Sequence, residues 1–191
     1  MTTWTTAEIW LSHPVRKVGV WDGAARRRTR SHTEHPAKVR AREEVAELDA
    51  LGRGRLGELN EQAFLAAGAA LYAGEGTKCS GGVRFTNTNP DIAKFFISWL
   101  RRFFEIDEPR VRASLYLHRE LDFEAATAFW SDVLAIPPSQ FNQPQIVDRE
   151  ARLKTSKHEF GCITIRYHCT RTHRDVMGLV RALLSSQDLR G

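Results

Sequence analysis

Three segments of the chain alternate apolar and polar side chains with the two-residue period of a half-buried β-strand. They are residues 82–87, 110–119 and 161–169. At one parity the side chains are aliphatic or aromatic, and at the other they are mostly bases and hydroxyls. The pattern predicts a sheet with one face packed against helices and the other face open.

Apolar residues at helical spacing occur between these strands and after them. Asn60, Asn89 and Asp122 are the expected caps, because their side-chain oxygens accept hydrogen bonds from the first helical turn. The predicted helices are 37–51, 61–74, 90–103, 122–134 and 172–183, the first ended by Gly52 and Gly54. The stretch 140–159 is ambiguous, with a short strand over 145–148. The element order predicts an α/β domain whose helices cover one face of the sheet.

The composition is that of an ordinary globular chain with an excess of bases. A length of 191 residues predicts a domain over residues 56–191 and an arm over residues 1–55. Lysine and arginine number 28 against 23 acids, and the net charge of +5 favours an anionic partner such as nucleic acid. Three cysteines predict reduced thiols rather than a disulfide framework. No apolar run approaches the ~18 residues of a membrane span, so no membrane partner is expected.

Positive charge is concentrated in the predicted arm. Nine bases and two acids lie between Arg16 and Arg42, with four of the bases in the segment Arg26–Arg30. Such a run is typical of a basic arm that adds sequence-independent affinity for nucleic acid. The alternative is an unstructured tail without a ligand.

The polar positions of the three strands indicate the same kind of partner. Arginine, serine, threonine and tyrosine contact phosphates and base edges, and none of these positions is acidic. The alternative is a solvated sheet face, which ordinarily mixes acids with bases. The predicted DNA contacts are Arg84, Thr86, Arg110, Arg112, Ser114, Tyr116, His118, Thr164, Arg166 and His168.

The predicted helix 61–74 is built largely from small residues and ends beside an acid. Alanine and glycine dominate its sequence, so its backbone can approach another helix closely, and Glu75 stands between Gly74 and Gly76. The alternative is a helix packed inside the monomer that ends in a glycine cap, with Glu75 merely solvated.

The segment Ala70–Gly76 (ALYAGEG) resembles the LAGLIDADG motif in its form with glutamate. Residues 83–91 (VRFTNTNPD) also resemble the strand, the turn and the start of the second helix in that superfamily. The resemblance extends over residues 60–184. It implies a saddle of antiparallel strands whose concave face lies along the DNA major groove, with two motif helices side by side at the centre.

The resemblance also implies a metal site. Glu75 would bind Mg²⁺ or Mn²⁺ at the scissile phosphate, with the carbonyl of Gly74 as a possible second ligand. A basic group normally lies nearby, and the candidates are Lys78, Lys154 and Lys157.

The implied function is a metal-dependent DNA endonuclease, located in the cytoplasm and associated with the nucleoid when bound to DNA. Because the chain contains one motif, a homodimer is expected, with Ala66, Ala67, Ala70 and Gly74 at its interface. The alternative is a DNA-binding regulator on the same fold that does not cleave. An enzyme acting on small anions is disfavoured, because no phosphate-binding loop or nucleophile motif is visible.

Two further groups of cysteine and histidine residues are weaker candidates for a functional site. Cys162, His168, Cys169 and His173 suggest zinc by their types, but strand parity divides the two cysteines between opposite faces. Cys162 with His158 suggests a thiol nucleophile, but no third group accompanies them.

Overall fold

The computed structural model describes residues 35–79, 81–148 and 158–185. The chain divides into two units, Met1–Arg55 and Leu56–Gly191. Within the described residues, no helix combines the length and the apolar composition that crossing a membrane requires. Most of the basic arm lies outside the described residues.

The first helix, α1 (Pro36–Leu56), has no buried residue. It continues through both Gly52 and Gly54, so the expectation that these glycines end it is wrong. A glycine inside a helix costs about 1 kcal/mol relative to alanine, which weakens a helix without stopping it. The stop comes at Gly57, whose φ of 60° is a left-handed conformation that glycine adopts readily.

The second unit contains four helices and four strands within its described residues. In chain order these are α2 (Glu61–Glu75), β1 (Val83–Asn87), α3 (Pro90–Phe103), β2 (Val111–His118), α4 (Phe123–Leu134), β3 (Gln145–Val147), β4 (Cys162–Tyr167) and α5 (Thr170–Ser185).

Local chemistry sets most of the helix starts. The side chains of Asn60, Asn89 and Asp122 accept hydrogen bonds from the first turns of α2, α3 and α4, as predicted. Helix α5 begins at Thr170 rather than Thr172, because the carbonyl of Cys169 already accepts a helical bond from the His173 N–H at 3.0 Å.

The four strands form one open sheet in the order β1-β4-β2-β3. Strand β4 is antiparallel to both β1 and β2, whereas β3 runs parallel to β2. The expectation of a wholly antiparallel sheet is therefore wrong at β3. The reason is that α4 carries the chain back across the sheet between β2 and β3, as a crossover connection does.

The core lies between the apolar face of the sheet and the helices. Helices α2, α3, α4 and α5 all contribute side chains to one buried cluster with β1, β2 and β4. Trp99 and Trp130 are its largest fully buried members. A methyl group added at Gly68 on α2 would overlap the Trp99 ring, so α2 and α3 pack with almost no space between them there.

Candidate nucleic-acid interface and acidic site

Three arginines lie in register on the face of the sheet opposite the core. Arg84 on β1 pairs with Arg166 on β4, and Arg166 pairs with Arg112 on β2. We call these three residues the arginine row. Because neighbouring strands are about 4.8 Å apart, the row spans roughly 10 Å at its backbone.

A row of hydroxyls lies next to the arginine row. Thr86 pairs with Thr164, and Thr164 pairs with Ser114. The hydroxyls of Thr86 and Thr164 are 3.0 Å apart, and the Asn142 amide donates to the Ser114 hydroxyl at 3.3 Å. Tyr116 is exposed beside them and pairs with Cys162 and Gln145.

The arginine row is electrostatically unfavourable in the free protein. Like charges directly opposite each other destabilise a sheet. Arg112 donates to the carbonyls of Pro109 and Val111, while the Nε of Arg166 is buried and has no hydrogen-bond partner in the part of the chain that the structure describes. No ion pair within the described residues involves any of the three arginines. Among the described residues, the row therefore has no acidic partner that balances its charge.

Two cavities flank Arg166. One, of about 190 Å³, lies toward the β1 edge. It is lined by Thr77, Cys79, Gly81, Gly82, Val83, Arg84, Arg166 and His168. The other, of about 370 Å³, lies toward β3. It is lined by Ser114, Leu115, Tyr116, Asn142, Gln143, Pro144, Gln145, Thr164 and Arg166. No described residue in either lining is acidic, so both cavities suit an anionic or hydrogen-bonding ligand.

Glu75 is the last residue of α2 and is exposed. Gly76 follows it and is buried, and a side chain there would overlap the Tyr72 ring. The Lys78 ammonium donates to the Gly74 carbonyl at 3.3 Å. The structure therefore brings Gly74 and Lys78 together next to Glu75, and Thr77 in the same segment lines the smaller cavity with Arg84 and Arg166.

The Glu75 carboxylate and the Gly74 carbonyl suit a hard divalent ion in one respect, which is the small number of protein ligands that Mg²⁺ needs. Mg²⁺ is ordinarily bound through one or two carboxylates together with substrate phosphates, rather than by a cage of protein ligands. Glu75 offers one exposed carboxylate, and the Gly74 carbonyl keeps a second lone pair beside its bond from Lys78. No group of three histidine, cysteine or acidic side chains able to hold a metal occurs within the described residues. The residues present thus fit an ion shared with phosphate.

The remaining predicted DNA contacts lie at or just beyond the ends of strands. Arg110 lies in a turn before β2, where its guanidinium stands 5.5 Å from the Tyr167 ring centre and donates to the His168 carbonyl. His168 follows the end of β4, and His118 is half-buried at the end of β2. Lys154 and Lys157 lie outside the described residues.

The two sides of α2 differ in their environment. Gly68, Ala69 and Tyr72 are buried against the core, as the intramonomer alternative expects. Of the predicted interface residues, Ala70 and Gly74 are exposed, and Ala66 and Ala67 are half-buried. A methyl group at Gly74 would meet nothing within 4 Å.

The cysteines occupy separate environments. Cys162 starts β4, and burial raises the pKa of its thiol. Cys169 precedes α5, and its hydrogen bonds with Thr172 lower its pKa. Within the described residues these thiols form no metal cluster with His168 or His173.

No family model, curated protein or solved structure matches this chain.

Several residues of the site escaped the sequence analysis. Asn142, Gln143 and Gln145 line the larger cavity, although their stretch was ambiguous. The sequence feature that could have indicated them is the amide-rich run FNQPQ, because amide side chains both donate to and accept from base edges. Thr77 carries no comparable signal, because its place depends on the pairing of Gly76 with Phe85.

We predict that Arg166→Met stabilises the free protein. Methionine keeps the packing of the aliphatic stem and removes the central charge of the row. We expect the free energy of unfolding in urea to rise by about 0.2–1 kcal/mol at low salt, and the gain to shrink at high salt because salt screens the repulsion. Arg181→Met, at an exposed position on α5, is the control and should change little. Destabilisation of Arg166→Met at low salt would show that the row is not repulsive.

Proposed function

We propose that the protein is a metal-dependent DNA endonuclease of the LAGLIDADG type, acting as a homodimer. The observation that carries the proposal is the arginine row on a sheet face without acids in any of its four strands. A polyanion relieves the repulsion within such a row, and double-stranded DNA has a groove that admits a two-stranded β-ribbon.

In this proposal the sheet is curved into a saddle over the DNA. Arginines of the row pair with phosphates or with the O6 and N7 atoms of guanine, both of which they contact bidentately. The hydroxyl row and the amides of the larger cavity supply further donors and acceptors for base edges. The basic arm adds affinity that is independent of sequence.

The position of Glu75 distinguishes a nuclease from a simple DNA-binding protein. Glu75 and the Gly74 carbonyl would hold Mg²⁺ or Mn²⁺, and the ion would supply charge neutralisation at a phosphate and a lowered pKa of a bound water. Arg84 and Arg166 hold the phosphate through the smaller cavity, and Lys78 keeps a positive charge next to Glu75. A regulator that only binds DNA has no need of this acid, which lies at the edge of an anion-binding surface.

The first prediction from this proposal concerns DNA binding. Arg84→Gln, Arg112→Gln and Arg166→Gln should each weaken binding, and each lost phosphate contact should lower the slope of log affinity against log salt by about one. Fluorescence anisotropy with duplex DNA at several salt concentrations measures both. Arg181→Gln is the matched control on a helix and should match the wild type. Affinity that is independent of salt, or unchanged in the triple variant, would contradict DNA binding by this face.

A second prediction concerns cleavage. Wild-type protein with Mg²⁺ or Mn²⁺ should cut a duplex selected from a random DNA library, and EDTA should abolish the cutting. Glu75→Gln should lose cleavage by at least about 10²-fold, because an amide lacks the ligand charge, yet keep its DNA affinity. A wild type that binds the selected DNA without cutting it would instead support the non-cleaving regulator.

The third prediction concerns assembly. Ala70→Trp places a large ring on the exposed side of α2, so it should convert a dimer to a monomer in sedimentation velocity. Ala128→Trp, at an exposed alanine on α4, is the matched control and should remain dimeric. A wild type that stays monomeric at high concentration and on DNA would refute the homodimer.

A further inference from the structure

The carbonyl of Thr77 accepts hydrogen bonds from two side chains, one on α2 and the other on α5. The Tyr72 hydroxyl donates to it at 2.8 Å, and the Nε2 of His173 lies 3.3 Å from it. Because a carbonyl oxygen only accepts, His173 carries a proton on Nε2. Neither side chain belongs to the arginine row or to the candidate metal ligands.

Both donors are held rigidly by the core. Tyr72 is fully buried and its ring stacks on Phe96, with ring centres 5.9 Å apart. Burial raises the pKa of Tyr72, so its hydroxyl keeps the proton that it donates. His173 is 5% exposed on α5. The bonds to Thr77 thus join α2 and α5 to one backbone atom.

That atom lies in the short segment between the acid and the base of the candidate site. Glu75 ends α2 and Lys78 comes three residues later. The Thr77 N–H also donates to the Arg84 carbonyl at 3.0 Å. The N–H and the C=O of Thr77 are therefore both bonded, the N–H to Arg84 on β1 and the C=O to the buried donors.

We infer that Tyr72 and His173 are positioning residues, which fix the Thr77 carbonyl and thereby hold the segment that joins Glu75 to Lys78 in place beside β1. The inference rests on the proposed nuclease function. A helix end leaves its last carbonyls and the following residues without partners of its own. Without the two donors, Glu75 and Lys78 would keep their functional groups but would no longer be held in position. A misplacement of about 1 Å can lower a reaction rate by about 10²-fold.

The test compares variants that remove or retain a donor at each position. Tyr72→Phe removes the hydroxyl and keeps the ring. His173→Leu removes the donor at similar volume, whereas His173→Gln keeps an N–H donor. Thr127→Val is the control, because the Thr127 hydroxyl is buried without a partner within the described residues.

Single-turnover cleavage at saturating DNA and the Kd for DNA are measured for each variant. We expect the cleavage rate constant to fall roughly 10–100-fold in Tyr72→Phe and His173→Leu. His173→Gln and Thr127→Val should stay close to the wild type, and the Kd should change little in all four. A loss in Kd that matches the loss in rate, or a His173→Gln as slow as His173→Leu, would overturn the inference.

A second readout separates this inference from the proposed function. If the wild type does not cleave DNA, the nuclease proposal fails, and the same variants are judged by amide hydrogen exchange at Gly76 and Thr77. Faster exchange in Tyr72→Phe and His173→Leu, with protection recovered in His173→Gln, supports the positioning role. Exchange equal to that of the wild type in every variant overturns it.

Discussion

Burial of one face of the sheet determines the arrangement of the other face. Val83, Val111 and Ile165 are each less than 3% exposed. Because side chains alternate with a period of two, a slip of one residue would expose this entire apolar set. Packing of the core therefore determines the strand register. That register places the three arginines of the row opposite one another. The core therefore holds three like charges together.

The cost of this arrangement is small compared with what burial supplies. Opposing like charges cost up to about 1 kcal/mol per pair, whereas burying one large aliphatic or aromatic side chain contributes about 1.5–3 kcal/mol. The described core contains more than twenty buried hydrophobic residues. A protein can thus keep an unfavourable charge pattern on its surface, and such a pattern is informative because folding alone gives no reason for it.

The sequence predicted most of what depends on local pattern. Strand parity identified the open face, and the caps Asn60, Asn89 and Asp122 identified three helix starts. The direction of β3 could not be predicted, because its three residues alternate too briefly to indicate a partner. The arginine row could not be predicted either. Parity assigns Arg84, Arg112 and Arg166 to one face, but only the register places them opposite one another.

The end of α2 shows the same limit for the acidic site. The sequence shows Glu75 between Gly74 and Gly76, but it does not predict that the two glycines have different roles. Gly76 has no room for a side chain because the Tyr72 ring fills that space, whereas Gly74 has open space around its Cα. One glycine is required by the fold of a single chain and the other is not.

That difference bears on how many chains complete the site. A glycine in a helix interior costs roughly 0.5–1 kcal/mol of stability relative to alanine. Gly74 lies one residue before the end of α2. Within the described chain, a Cβ added at Gly74 would meet nothing within 4 Å, and Glu75 beside it belongs to no group of three or more side chains able to hold a metal. In the proposed homodimer, a second α2 would use the open space at Gly74 as contact space and would bring a second Glu75 to the same place. The fold of a single chain accounts for Gly68 and Gly76, whereas Gly74 and Glu75 would take on their roles only in the proposed homodimer.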